Sequence, residues 1–292
     1  MYFLINSLIE KHYLYKILLS MENVSNQKAK LDSLLPKVVS DYVELPSQGR
    51  FYQNGIDKIM VEYMTASDEQ YLLSENYIKN GTGIELLAKN KIKDPEFNAT
   101  MSVEDLLTGD LDAVLLFLRR FAYGEDYPVQ VRDTDGKMFD TNVDLSKVKF
   151  KEVVEPTGQN LSFNFYLPFT KADVTFKLLT YGEKKKLDQR IEKLSKYKSD
   201  SPIFETQERI IAQIETIAGE TDRNFIEKFV KLMPPKDALS LRRYILEVEP
   251  GIDYNYEFEG KFTGDFFRQP IAFGIDFFYP RPKVWGIDST RT

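Results

Sequence analysis

The chain of 292 residues has no cysteine, a single histidine, His12, and a single tryptophan, Trp285. The missing thiols exclude a disulfide-stapled module, a thiolate zinc site, an iron–sulfur protein and a cysteine protease, and make a reducing compartment the simplest setting. The lone histidine lies near the start of the chain. The rest therefore has no imidazole for a Ser-His-Asp triad or a multi-histidine metal site, and neither a metal nor a cofactor is expected. Long apolar runs are also missing: residues 1–20, MYFLINSLIEKHYLYKILLS, are interrupted by Glu10, Lys11, His12 and Lys16. That falls short of the ~20 apolar residues of a membrane span, and no small-residue cleavage site follows. An excess of positive charge is missing too, with 39 Lys and Arg against 45 Asp and Glu and a net charge of -6. Nucleic acid and membrane are thus both unexpected as partners.

What is present is an ordinary folding composition, 42% hydrophobic and 29% charged, on a chain longer than the ~150 residues of a typical domain. Residues 1–42 are expected to form a flexible N-terminal extension, with Met21 as a natural start. From Val43 the punctuated text LPSQGRFY, Leu45 to Tyr52, marks a turn between extended segments. A strand at Ile59–Met64 leads to TASD, where Thr65 or Ser67 can cap a helix running through Tyr77. Gly81 and Gly83 break that helix, and Ser102 to Asp105 has capping-box spacing. The run DAVLLFLRRF, Asp112 to Phe121, is too apolar for a surface helix and should be buried. A hairpin follows between Tyr123 and Leu145, turning at DTDG, Asp133 to Gly136. After a charged linker come strands at Phe163–Leu167 and from Val174, a charged helix from Glu183, and three further helices from Ser201, Thr221 and Lys236.

The two halves rhyme. VEYMTASD from Val61 matches FKLLTYGE from Phe176; DAVLL at Asp112 matches DALSL at Asp237, each followed by an arginine pair; GEDYPVQV at Gly124 matches GIDYNYEF at Gly251. The expectation is a mixed α+β fold built from an internally duplicated strand–helices–hairpin unit, the two copies packed around both buried helices in one core. The first copy spans 43–150, a linker 151–172, the second copy 173–285 and a tail 286–292.

Catalytic chemistry is poorly supported. The adjacent acids Asp110 with Asp112 and Glu125 with Asp126 could suggest a two-carboxylate glycosidase, but each pair sits at a helix start or a turn, where capping and the helix dipole favour acids. KNGTG from Lys79 lacks the Walker A pattern. The aromatic content is more informative: 21 Phe and 17 Tyr, with DFF at Asp265 and DFFYP at Asp276. A two-stranded ribbon cannot bury so much apolar area alone. Phe266, Phe267, Phe277, Phe278, Tyr279 and Trp285 are therefore candidates for a partner-binding surface, with core packing as the equal alternative.

Taken in order, LPSQGRFY, TASDEQYLL, KNGTGIELL, DLLTGDLDAVLLFLRRFAYGEDYPVQV, MPPKDALSLRRYI and EPGIDYNYEF through DFFYP resemble the baseplate hub proteins of T-even-type contractile-tailed phages, over about Leu45 to Pro280. The resemblance implies a virion structural subunit of the tail baseplate hub, or a factor that assembles it in the host cytoplasm. Such a protein would have no catalytic site and no small-molecule substrate, and its partners would be other hub or tail proteins. It also implies a departure. Some relatives carry C-x-x-C pairs on their hairpins, whereas this chain has VRDTDGKM, Val131 to Met138, and FEGKFTGDF, Phe258 to Phe266, so its hairpins must be held by turn chemistry and aromatic packing. The alternatives are an assembly chaperone absent from the mature particle and a carboxylate-dependent, lysozyme-like tail hydrolase.

Overall fold

The computed structural model describes residues 37–80, 82–198, 202–271 and 277–278. It divides into two units, Met1–Val39 and Ser40–Thr292, and the second is described here. The expectations for residues 1–20, Met21, Tyr279, Trp285 and the 286–292 tail lie outside the described residues.

Strand β1 (Ser40–Glu44) pairs antiparallel with β2 (Lys58–Glu62), Val43 opposite Ile59. Their alternation sends Val43, Ile59 and Val61 inward. Thr65 and Asp68 then form a capping box over a 3-10 turn, Ala66–Asp68. The helix expected to run on to Tyr77 is instead split into α1 (Glu69–Leu73) and α2 (Glu75–Asn80), because Ser74 between them is extended, with φ -68° and ψ 120°. Next come α3 (Gly83–Lys91), α4 (Pro95–Thr100) and the long α5 (Thr108–Tyr123). Leu111, Val114, Leu115 and Leu118 bury one broad side of α5. Gly124 ends it at φ 87°, a conformation that costs a residue with a Cβ. Strands β3 (Asp126–Arg132) and β4 (Met138–Asp144) make the first hairpin.

In the second half β5 (Phe163–Tyr166) and β6 (Asp173–Phe176) are joined by a third strand, β7 (Ile214–Ile217), in an antiparallel sheet of order β5-β6-β7. β7 is hidden in the text because IETI follows a helical run without a break. Ile214 and Ile217 point into the core beside β6, and tertiary pairing decides the conformation. Helices α6 (Tyr181–Lys198), α7 (Pro202–Gln213), α8 (Arg223–Leu232) and α9 (Pro235–Val248) surround this sheet in the chain. The second hairpin is β8 (Asn255–Glu259) with β9 (Phe266–Pro270). The fold is a mixed α+β fold with several small antiparallel sheets.

The long helices do not share one core as expected. α5 is buried with β1, β2, α3 and the first hairpin, whereas α9 is buried with the β5-β6-β7 sheet and α8. The second hairpin crosses over: Ile252, Phe258, Ile271, Phe277 and Phe278 all belong to the first core. Each long helix does repeat one device. Asp110, third in α5, accepts the Ser47 N–H at 2.9 Å from the Leu45-Pro46-Ser47 turn. Asp237, third in α9, accepts the Phe169 and Thr170 N–H groups at 2.7 and 2.9 Å from the Leu167-Pro168-Phe169 turn. Both aspartates are fully buried. A second pair of caps also corresponds, Thr65 with Asp68 and Thr180 with Glu183.

The α5 junction is the tighter of the two. The Tyr52 hydroxyl donates to Asp110 and accepts the Leu107 N–H at 2.9 Å, one residue before α5 begins. Gly109 lies against the backbone of Pro250 and Gly251, so a Cβ there would overlap the Pro250 carbonyl oxygen. Burial raises the Asp110 carboxyl above its ordinary range despite the hydrogen bonds from Tyr52 and Ser47, and burial beside Asp110 raises the Tyr52 phenol. Elsewhere in this half the buried Lys91 ammonium is held by Asp68 at 2.8 Å and Glu62 at 2.9 Å. Burial opposes both charges of the Lys91–Asp68 pair, yet the hydrogen bonds between them keep Lys91 above and Asp68 below their ordinary values.

Replacing Tyr52 by Phe keeps the ring and leaves both Asp110 and the Leu107 N–H short of a partner. The expected loss is about 1–3 kcal/mol in urea unfolding, and an unchanged midpoint would contradict the assigned network. Replacing Lys91 by Met removes the cation facing Asp68 and Glu62, leaves Asp68 only its Thr65 and Asn90 donors and is expected to cost about 3 kcal/mol; a melting temperature equal to that of the native chain would contradict it.

Candidate assembly surface

The hairpin tips meet. Asp133, at the turn of the first hairpin, accepts the Phe262 N–H at 2.8 Å and the Thr263 hydroxyl at 2.7 Å, both from the turn of the second. It also accepts its neighbour Thr134 N–H at 2.6 Å. The Thr134 hydroxyl reaches Thr263 at 3.0 Å and Asp265 at 3.2 Å, and the Arg132 N–H donates to the Gln269 side chain at 3.1 Å. Around this network Phe262 stands edge-on to Phe139, with centroids 6.1 Å apart, and the Lys137 ammonium lies 5.2 Å from the Phe262 ring. The DTDG turn was expected to close its own hairpin, and does so through the Gly136 N–H to the Asp133 carbonyl at 2.9 Å. Its acid also clamps the neighbouring hairpin, which periodicity does not reveal.

Burial works against the Asp133 charge, but the donors from Thr263, Phe262 and Thr134 outweigh it and hold the carboxyl down to about 2. Zinc does not fit these turns. They offer no thiol or imidazole, the Asp133 oxygens are already taken by N–H and hydroxyl donors, and no group of three or more His, Cys, Asp or Glu suited to a metal exists among the described residues. Hydrogen bonds and rings hold the tips together, as the absence of thiols required.

Of the aromatic candidates, Phe277 and Phe278 are core residues, only 4% and 3% exposed. Phe277 packs edge-on to Tyr127 with centroids 5.3 Å apart, and its carbonyl takes the Arg119 Nε–H at 2.7 Å. Arg119 is itself buried, its guanidinium 5.4 to 6.0 Å from the rings of Tyr123, Tyr127 and Phe277. Burial lowers its pKa, and its second backbone bond is to the Gly124 carbonyl at 2.9 Å. The arginine pair thus divides: Arg119 ties Phe277 to α5, while Arg120 pairs with the exposed Glu125. Phe267 is half-buried against Phe258, with centroids 5.8 Å apart. Phe266 stands out, 70% exposed. Phe262, in the turn, is 50% exposed, and Met138, at the turn end of the first hairpin, is exposed as well. Sequence reading missed Phe262; the available signal was a lone aromatic within the glycine-flanked turn GKFTG.

The adjacent acids do not converge on a cleft. Asp110 is consumed by the α5 junction, and Asp112 accepts the Tyr254 hydroxyl at 2.6 Å, where burial raises both groups. Glu125, just before β3, and Asp126, its first residue, are exposed on the surface.

A carboxyl lowered on folding stabilises the protein above its ordinary value near 3.8, and that contribution is lost as the pH falls toward about 2. Melting temperature measured against pH should therefore fall between about pH 4 and pH 2. In Asp133→Asn the value at neutral pH should be lower and the acid slope shallower; an unchanged slope would contradict the clamp.

No helix among the described residues is long and apolar enough to cross a membrane. No curated protein and no solved structure matches the chain. A family model described as T4 bacteriophage base plate protein matches residues 39–265, from the edge of β1 to the last residue before β9. Well over half of the chain is covered, and the match includes both long helices, the first hairpin and the turn that receives Asp133. The chain belongs to the T4 bacteriophage base plate protein family.

Proposed function

We propose that this chain is a structural subunit of the baseplate hub, or a factor that assembles the hub, and that it works by protein–protein contact rather than catalysis. The observation that carries this reading is the pair of clamped hairpin tips presenting Phe262, Phe266 and Met138 outward on a support fixed by Asp133. Large exposed aromatic side chains on a preorganised scaffold lose little conformational entropy on binding and suit the centre of an interface. The non-catalytic reading is supported by the fate of the adjacent acids, which cap, pair or face solvent separately. The partners would be other hub or tail proteins met in the host cytoplasm during assembly. The repeated aspartate clamp on the two long helices supports, in addition, descent from a duplicated unit.

Quantitative mass spectrometry of purified virions and infected-cell lysate tests the proposal. A fixed low copy number in virions is the result expected of a subunit, and abundance in lysate with absence from particles that of an assembly factor; absence from both overturns the reading. The double variant Phe266→Ser, Met138→Ser, which leaves the Phe262–Phe139 packing in place, should keep its melting temperature yet lower incorporation or hub assembly at least about tenfold, as loss of interface anchors does. Full incorporation of that variant would overturn the assignment of the tips.

A further inference from the structure

In a chain of net charge -6 the helix α6 is strongly basic, with Lys184, Lys185, Lys186, Arg190, Lys193, Lys196 and Lys198 against Glu183, Asp188 and Glu192. Part of that charge is used within the fold: Lys184 pairs with Glu249 and Lys185 with Glu85. Lys186, Arg190 and Lys193 face a groove of about 690 Å³ between α6, α7 and α8. Lys186, Arg190 and Lys193 recur at helical spacing along one wall, a stripe roughly 10 Å long. Lys231 of α8 adds a fourth cation, and Leu194 and Phe204, both half-buried, add apolar surface. The acids in the groove do not neutralise it. Glu208 is buried and lies 3.4 Å from Arg190, and Glu227 lies 3.6 Å from Lys231. Lys186 and Lys193 are exposed and form no ion pair among the described residues.

We infer that this groove binds an acidic polypeptide segment of a partner protein, one that carries carboxylates at intervals and an apolar residue among them. Carboxylates would meet Lys186, Arg190 and Lys193, and the apolar residue would cover Leu194 and Phe204. Glu208 and Glu227 in the lining disfavour a uniformly charged phosphate backbone, since each phosphate brought near them would be repelled, whereas a mixed peptide can place neutral side chains there. Two exposed lysines with no ion pair among the described residues raise the positive potential of the groove and favour capture of such a segment there. The inference stands on charge and shape and does not depend on the hub reading. The groove and the hairpin tips lie on different elements, so loss of one function by mutation leaves the other measurable.

The test uses the full chain and a fluorescein-labelled oligoglutamate peptide with a central leucine, followed by anisotropy over a range of salt concentrations. Saturable binding that weakens with salt is expected. The double variant Lys186→Glu, Lys193→Glu should bind roughly tenfold or more weakly with an unchanged melting temperature. The charge-matched control Lys93→Glu, Lys236→Glu, two exposed lysines outside the groove, should bind as the native chain does. Absence of saturable binding overturns the inference. So does equal weakening by the control pair, which would mean a general charge effect, and so does a single-stranded oligonucleotide that binds more tightly than the peptide with the same dependence on Lys186 and Lys193.

Discussion

The carboxylate of Asp110, fully buried at the start of α5, is the point through which the rest of this fold is tied. Removing a carboxylate from water costs several kcal/mol unless donors replace the water, and here the donors come from 63 and 58 residues earlier in the chain: the Ser47 N–H and the Tyr52 hydroxyl. The same Tyr52 hydroxyl satisfies the Leu107 N–H, one of the orphan donors at a helix start, and its ring packs against both cores. One residue along, Gly109 admits the Pro250–Gly251 backbone, which leads into the second hairpin. One buried acid thus fixes the β1 turn, the entry to α5 and the gap between two hydrophobic clusters. Because burial raises the Asp110 carboxyl, its charge is a cost at neutral pH that protonation relieves, the reverse of Asp133. The junction fixes geometry more than it adds stability.

Much of this was legible in the text, and the failures are physical ones. Thr65, Ser102 and the DTDG turn sit where capping and turn chemistry place them, since those signals are local. The burial of α5 followed from its composition. The partner of each buried group was not legible, because Asp110, Asp133 and Arg119 find theirs 63, 129 and 158 residues away. For the same reason the second hairpin could not be assigned to the first core. Phe277 and Phe278 read as equally suited to a core or an interface, and only the Arg119 contact and their burial separate them from Phe266. The basic side of α6 was visible as composition alone; that Lys186, Arg190 and Lys193 share a groove with Phe204 depends on how α7 folds back.

Family membership places the chain among baseplate proteins, and the proposed binding role fits a fold whose buried acids and arginine are spent on architecture. Its thiol-free hairpins are joined by carboxylate, hydroxyl and backbone groups, which need no metal and suit a chain without cysteine. The clamped tips carry the exposed aromatic side chains, and the basic groove would offer the proposed second kind of contact. Two chemically distinct surfaces on one small body suit a component that must meet more than one neighbour in a defined order.

The most direct measurement is a cryo-EM reconstruction of the tail baseplate from the phage that encodes this chain, or of its assembly intermediates. The account predicts density for the chain with Phe262 and Phe266 buried against another baseplate protein and the Asp133 clamp intact. A chain docked with both rings facing solvent, or with the two hairpins parted, would contradict it.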